Sequence, residues 1–132
     1  MELINWWAVL AATDLAFILG GLWYGPLFGQ AWLNALGKTE DDIEPSPRPF
    51  IISFFTALLT AVVLAWLIVA LGMTGWLAGA WLGLVVGVGF IATAMASDSA
   101  FCGWGFKLFI IQSGYRVAYS GLMGALLGAW PA

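Results

Sequence analysis

The stretch Leu108–Trp130, LFIIQSGYRVAYSGLMGALLGAW, decides how this chain can fold, because it is mostly apolar yet carries an arginine. As a helix it is long enough to cross the hydrocarbon core of a bilayer, which needs about 20 residues. Several of its polar residues share one helical face. These residues are Gln112, Arg116, Ser120 and the neighbouring Tyr119. Polar side chains at membrane depth turn into a protein interior or a wet cavity, so we predict a spanning helix with an inward polar face.

The opposite face of the same helix carries only small side chains. It consists of Gly114, Ala118, Gly121, Ala125 and Gly128. In a membrane, small residues let the backbone of a neighbouring helix approach closely. We therefore predict that a second helix packs on this face.

The composition of the whole chain indicates a membrane protein. Of its 132 residues, 63% are hydrophobic and only 8% are charged, whereas soluble domains carry about 25% charged residues. A soluble domain of this length could not bury so much apolar surface. Residues 1–132 are therefore predicted to form one domain in the lipid bilayer.

Charge and residue usage exclude several functions. The net charge is −3 without a basic cluster, which argues against nucleic-acid binding. Histidine is absent and Cys102 is the single cysteine, so a zinc, haem or iron–sulfur site is not expected. No nucleophile motif or carboxylate cluster occurs at membrane depth. We therefore expect no cofactor and no enzymatic activity.

Four apolar stretches could cross a bilayer, at about 5–25, 50–71, 76–96 and 108–130. Pro26 should end the first, since proline disfavours a helical residue before it. The segment 27–36 alternates apolar and polar positions with helical spacing, which predicts either a short helix on the membrane surface or a loop. The predicted fold is an all-α integral membrane protein, a bundle of four transmembrane helices with a short interfacial helix after the first span.

The lysines and arginines between the spans predict the orientation. Lys38, Arg48 and Lys107 lie in the connections 26–49 and 97–107, and the other loops and both termini contain no such residue. Connections rich in Lys and Arg stay in the cytoplasm. Both termini are therefore expected outside the cell.

The third span contains a row of glycines at four-residue spacing: Gly75, Gly79, Gly83 and Gly87. Such overlapping GxxxG steps favour close helix contact, either within one chain or between copies. Small residues recur on every span, which favours a homo-oligomer or a complex with another membrane protein.

Asp14 lies near the middle of the first span and has a cationic counterpart in Arg116. Counted from Tyr24 and Leu108, the two charges lie about 15 Å and about 12 Å from the same membrane face. We therefore predict that Asp14 and Arg116 pair inside the bundle, directly or through one water, with Gln112, Tyr119 and Ser120 around them. In the alternative, the arginine extends to the interface and Asp14 is protonated.

The run Gly21–Gly29, GLWYGPLFG, gives the chain a family resemblance, together with Asn5, Ala31–Trp32, Gly37–Lys38 and Gly114–Tyr115. The chain resembles the small membrane proteins grouped as domain of unknown function 1761. The resemblance implies four membrane-spanning helices and implies no activity. A structural or accessory subunit is the favoured function, and the alternative is binding or transport of a small anion or proton at the Asp14–Arg116 site.

Overall fold

The computed structural model describes residues 4–39 and 47–130, and every regular element within these ranges is a helix. This confirms the all-α prediction. The α-helices are α1 (Trp6–Leu22), α2 (Gly29–Leu36), α3 (Arg48–Ala70), α4 (Trp76–Val86), α5 (Thr93–Cys102) and α6 (Phe106–Ala129). Two π-helical segments, Trp23–Leu27 and Gly87–Ala92, extend α1 and join α4 to α5.

In the described part of the chain, three continuous helical segments are long and apolar enough to cross a membrane. They are Trp6–Leu27 with 22 residues, Arg48–Ala70 with 23 and Trp76–Cys102 with 27. At 24 residues α6 is also long enough, but its polar side chains leave it less apolar than these three. The chain therefore has the architecture of a helical membrane protein, and the count of four spans stays a prediction.

A cap and a kink define the first helical segment. The side-chain oxygen of Asn5 accepts hydrogen bonds from the backbone N–H groups of Trp7 and Ala8, at 3.0 and 3.3 Å, and so satisfies donors that a helix start leaves free. At the other end Gly25 has a non-helical backbone, with φ −108° and ψ −106°, directly before Pro26. The predicted break at Pro26 is therefore a kink inside the π-helical segment.

The short helix α2 follows this kink and ends at Gly37, whose φ of 72° is left-handed. The N–H of Gly37 bonds to the carbonyl of Asn34 at 3.1 Å, and the N–H of Lys38 bonds to that of Leu33 at 3.0 Å. This is the usual glycine-dependent helix stop. Of the two sequence alternatives, the helix is therefore present, while its position at a membrane surface stays a prediction.

Helix α6 lies at the centre of the bundle, in contact with α1, α3 and α4. The faces that α1 and α3 bury in the core consist largely of alanine: Ala8, Ala12, Ala16, Ala57, Ala61 and Ala65. Tyr115, Tyr119 and Met123 of α6 belong to the same core. Small side chains on the outer helices thus leave room for large ones on the central helix.

The glycine row of α4 lies directly against the backbone of α6. A Cβ added at Gly79 would collide with the carbonyl of Gly124, and one added at Gly83 would collide with the carbonyl of Ser120. The N–H of Gly75 also donates to the carbonyl oxygen of Gly128 at 3.0 Å. The row is therefore occupied by α6 of the same chain.

The predicted small face of α6 is shared among several neighbours. Gly128 faces Gly75 and Gly79, Gly121 faces the side chain of Leu84, and Gly114 faces the ring of Trp23. This face of α6 therefore contacts both α4 and the π-helical segment after α1, because other helices surround α6.

The connection predicted at 97–107 is shorter than expected. The helix continues through Ser97 and Asp98 to Cys102, and the turn begins at Gly103, whose φ of 69° is left-handed. Polar residues alone do not end a helix, whereas a glycine in this conformation does.

Candidate functional site

The guanidinium of Arg116 is held by two tyrosines of its own helix. It donates a hydrogen bond to the Tyr119 hydroxyl at 3.3 Å. Its central carbon lies 5.5 Å from the ring centre of Tyr115 and 5.8 Å from that of Tyr119, within the range of cation–π attraction. The hydrogen bond is longer than usual. As far as residues 4–39 and 47–130 are concerned, most of the five N–H donors of this arginine therefore remain available to another acceptor.

Tyr115 is fixed from the opposite side by α1. Its hydroxyl donates to the backbone carbonyl of Ala16 at 2.9 Å. Gly20 makes room for it, because a Cβ there would lie 2.8 Å from the Tyr115 oxygen. The ring also meets the rings of Tyr119 and Tyr24 edge-on, at 4.9 and 5.4 Å between centres. Tyr115 therefore gives Arg116 a rigid aromatic wall.

The kinked segment after α1 completes this wall. The indole N–H of Trp23 donates to the carbonyl of Ile111 at 2.9 Å, and Gly114 leaves space for the Trp23 ring. Tyr24 packs edge-on against Trp32 of α2, with the ring centres 5.1 Å apart. We call Arg116, Tyr115, Tyr119, Trp23 and Tyr24 the arginine cluster. Sequence reasoning missed both residues of the kinked segment, although they lie within the WYGPLFG stretch that carries the family resemblance.

The other two predicted polar residues of α6 lie at the edge of this cluster or beyond it. Gln112 is partly exposed, one turn before Arg116. Ser120 is fully buried, and its hydroxyl has no hydrogen-bond partner in the described part of the chain. It faces Gly87, where the second π-helical segment begins. On the predicted polar face, Arg116 and Tyr119 are therefore hydrogen-bonded to each other. Ser120 instead packs against Gly87, at the end of α4.

The predicted Asp14–Arg116 pair is not formed. Asp14 is exposed, whereas α1 buries the reverse face that contains Ala12 and Ala16. No ion pair joins these two side chains, both of which lie in the described ranges. The prediction was wrong because a helix wheel shows which residues share a face but not which face is buried. Here the alanine face allows the closest approach to α3 and α6, and Asp14 points away.

This arrangement leaves a cation suited to an anionic ligand. Arg116 is partly buried among aromatic rings, and among the residues 4–39 and 47–130 no acidic side chain contributes to its electrostatic surroundings. A guanidinium binds carboxylate or phosphate oxygens through two parallel N–H bonds. The chemistry of the site is therefore suited to binding an anionic group.

The described part of the chain combines helical segments of membrane-spanning length with an arginine that packs against aromatic rings, which defines a helical membrane-type protein. The family described as protein of unknown function (DUF1761) matches residues 7–128, and the chain belongs to this family. The resemblance seen in GLWYGPLFG is thereby confirmed. No curated protein and no solved structure matches the chain.

Proposed function

We propose that this protein binds an anionic group, a phosphate or a carboxylate, at Arg116 inside its helix bundle. One observation carries the proposal. Within residues 4–39 and 47–130, the Arg116 guanidinium lies beside two tyrosine rings and donates one long hydrogen bond, and Asp14, the counter-charge expected from the sequence, is exposed on the outer face of α1.

The charge of Arg116 has an energetic cost inside a bilayer that a bound anion would offset. A lone arginine near the middle of a spanning helix costs about 2.5–3.5 kcal/mol by insertion measurements. Cation–π contacts contribute about 0.5–2 kcal/mol each, which offsets part of this cost. A bound anion would add charge-assisted hydrogen bonds of about 1.5–3 kcal/mol each and would neutralise the charge.

The direction of the arginine favours a ligand from the end of the bundle where α1 ends. Side chains on a helix lean towards its N-terminus, and the N-terminus of α6, at Phe106, lies at that end, beside Phe28 and Ala31. An apolar groove opens there between α2 and α6, lined by Phe28, Ala31, Phe106, Lys107, Ile110 and Ile111. A phosphate could thus come from a lipid whose chain occupies the groove, or from a small soluble ligand.

We further infer four spans, with α6 as the fourth, α2 at the interface and both termini outside. The 24 residues of α6 exceed the length that a bilayer requires, and α6 packs along all three apolar helical segments. Lys38, Arg48 and Lys107 support the cytoplasmic placement of the end that carries the arginine cluster.

A structural or accessory role in a larger membrane assembly is the second candidate. The glycine row does not support it, because α6 of the same chain covers that row. The observation in its favour is the exposed carboxylate of Asp14 on α1.

The test compares anion binding by two variants that each lose one positive charge. The wild-type protein, Arg116→Gln and the control Lys38→Gln are placed in nanodiscs of phosphatidylcholine with or without phosphatidylglycerol. Lys38 is exposed just after α2. Bound lipid is counted by native mass spectrometry, and inorganic phosphate is titrated separately by calorimetry.

We expect Arg116→Gln to weaken binding about tenfold to a hundredfold, which corresponds to the loss of one charged hydrogen bond, and Lys38→Gln to leave it unchanged. Binding of phosphatidylglycerol alone would identify a lipid ligand, and binding of free phosphate a soluble one. Equal affinities of the two variants for both probes, or no binding by the wild type, would refute an anion site at Arg116.

A further inference from the structure

The outer face of α1 carries a carboxylate among exposed apolar side chains. Trp7, Leu10 and Ile18 are 77%, 44% and 63% exposed, and Asp14 and Gly21 on the same face are exposed as well. We call these five residues the Asp14 face. The face is distinct from the arginine cluster, since α1 buries its opposite side in the bundle.

Asp14 lies deep within the first apolar helical segment, Trp6–Leu27. It is eight residues from one end and thirteen from the other, or about 12 Å and about 20 Å along the helix axis. Its short side chain cannot reach the interface from there. A carboxyl group facing lipid at this depth is unfavourable and marks a contact with protein or water.

We propose that a second copy of this chain covers the Asp14 face, with the two α1 helices parallel around a two-fold axis normal to the membrane. Such an axis brings each residue of the face opposite the same residue of the copy at equal depth. Asp14 would therefore meet Asp14.

The carboxyl group is complementary to its own copy. When protonated it donates through O–H, and when ionised it only accepts. Two carboxyls close together do not both ionise but share a proton. Each Asp14 thus supplies the hydrogen-bond partner that the other lacks, and no foreign cation is required.

The spacing along the face agrees with such a pair of helices. From Trp7 to Gly21 the steps are three, four, four and three residues, an average of about 3.5, which is the repeat of left-handed helix pairs. A single polar residue in such a seam fixes its register. Gly21 provides a place without a side chain where the two backbones can approach.

The experiment uses cysteine cross-linking in liposomes at a low protein-to-lipid ratio. Cys102, the native free cysteine, is first replaced in the full chain by Cys102→Ser. Leu10→Cys then reports on the Asp14 face. Leu59→Cys on α3 is the matched control, because Leu59 is also a membrane-facing leucine and is 65% exposed. Oxidation should give a dimer at position 10 at least tenfold more efficiently than at position 59. Equal yields would overturn the proposal.

Variants of Asp14 test the carboxyl group itself. Asp14→Asn keeps a donor and an acceptor, so cross-linking at position 10 should persist, while Asp14→Leu should lower it more than tenfold. Thermal unfolding of each variant is measured to check that the bundle is still folded. Unchanged cross-linking in a folded Asp14→Leu variant would overturn the role of Asp14.

A mixed assembly separates a second copy from a foreign partner that carries a cation. Asp14→Lys alone should not dimerise, because two ammonium groups would meet. Co-expressed with the Asp14 chain, it should form a cross-linked heterodimer through an Asp–Lys pair. If no heterodimer forms although both chains are folded, the two-fold contact between Asp14 faces is refuted. A partner of opposite charge is then favoured.

Discussion

Replacing Gly83 with alanine tests the backbone contact between α4 and α6 on which the bundle depends. The added Cβ would overlap the carbonyl of Ser120 and approach the Cα of Gly121 at 3.0 Å. These are backbone atoms, so no side-chain rotation can relieve the contact and the two helices must move apart. Overpacking of this kind costs about 1–3 kcal/mol, whereas alanine gains up to about 1 kcal/mol in helix propensity. We expect the free energy of unfolding to fall by about 1–2 kcal/mol.

Gly89→Ala is the matched control in the same helical segment, since a Cβ there would meet no described atom within 4 Å apart from its chain neighbours and the backbone of its own helix. It should leave the free energy of unfolding unchanged or raise it slightly. Reversible unfolding by sodium dodecyl sulfate in mixed micelles, followed by tryptophan fluorescence, measures both variants. Equal effects of Gly83→Ala and Gly89→Ala would refute the inference that backbone contact holds α4 to α6.

Two further predictions concern the kinked segment and the orientation. Trp23→Phe removes the indole bond to the α6 carbonyl and should lower the free energy of unfolding by about 0.5–1.5 kcal/mol, measured in the same assay. Trp66→Phe, at a half-exposed tryptophan of α3, should have no such effect. Cys102, which is exposed, should react with an impermeant maleimide only after the cells are opened. Its labelling on intact cells would reverse the predicted topology.

The helical class and the glycine contact could be predicted because both depend on residue size and polarity alone. Apolar stretches of about 20 residues satisfy their backbone groups in a bilayer by forming helices, and glycines such as Gly79 and Gly83 allow the closest helix approach whatever the partner helix. The sequence did not show which helix packs on the glycine row of α4, and the structure identifies it as α6 of the same chain.

The inward face of α1 could not be predicted in this way. Matching the depths of Asp14 and Arg116 treated charge as the deciding term, whereas the fit of Ala12 and Ala16 against the large side chains of α6 decides which face is buried. The predicted set of residues around Arg116 was incomplete for a related reason. Trp23 reaches Ile111 only because the helix is distorted before Pro26, and a helix wheel assumes a regular helix.

The contact between α4 and α6 also determines how the bundle can deform. Where two backbones touch with no intervening side chains, no rotamer change can absorb a displacement, so these helices behave as one rigid body. Helix α1 and the π-helical segment after it contact α6 through side chains, including the hydrogen bonds of the Tyr115 hydroxyl and the Trp23 indole. These bonds can lengthen or exchange one carbonyl for another. Gly25 provides a pivot beside them. Any opening of the arginine cluster should therefore be a tilt of α1 against a fixed α4–α6 frame, with Arg116 as part of that frame.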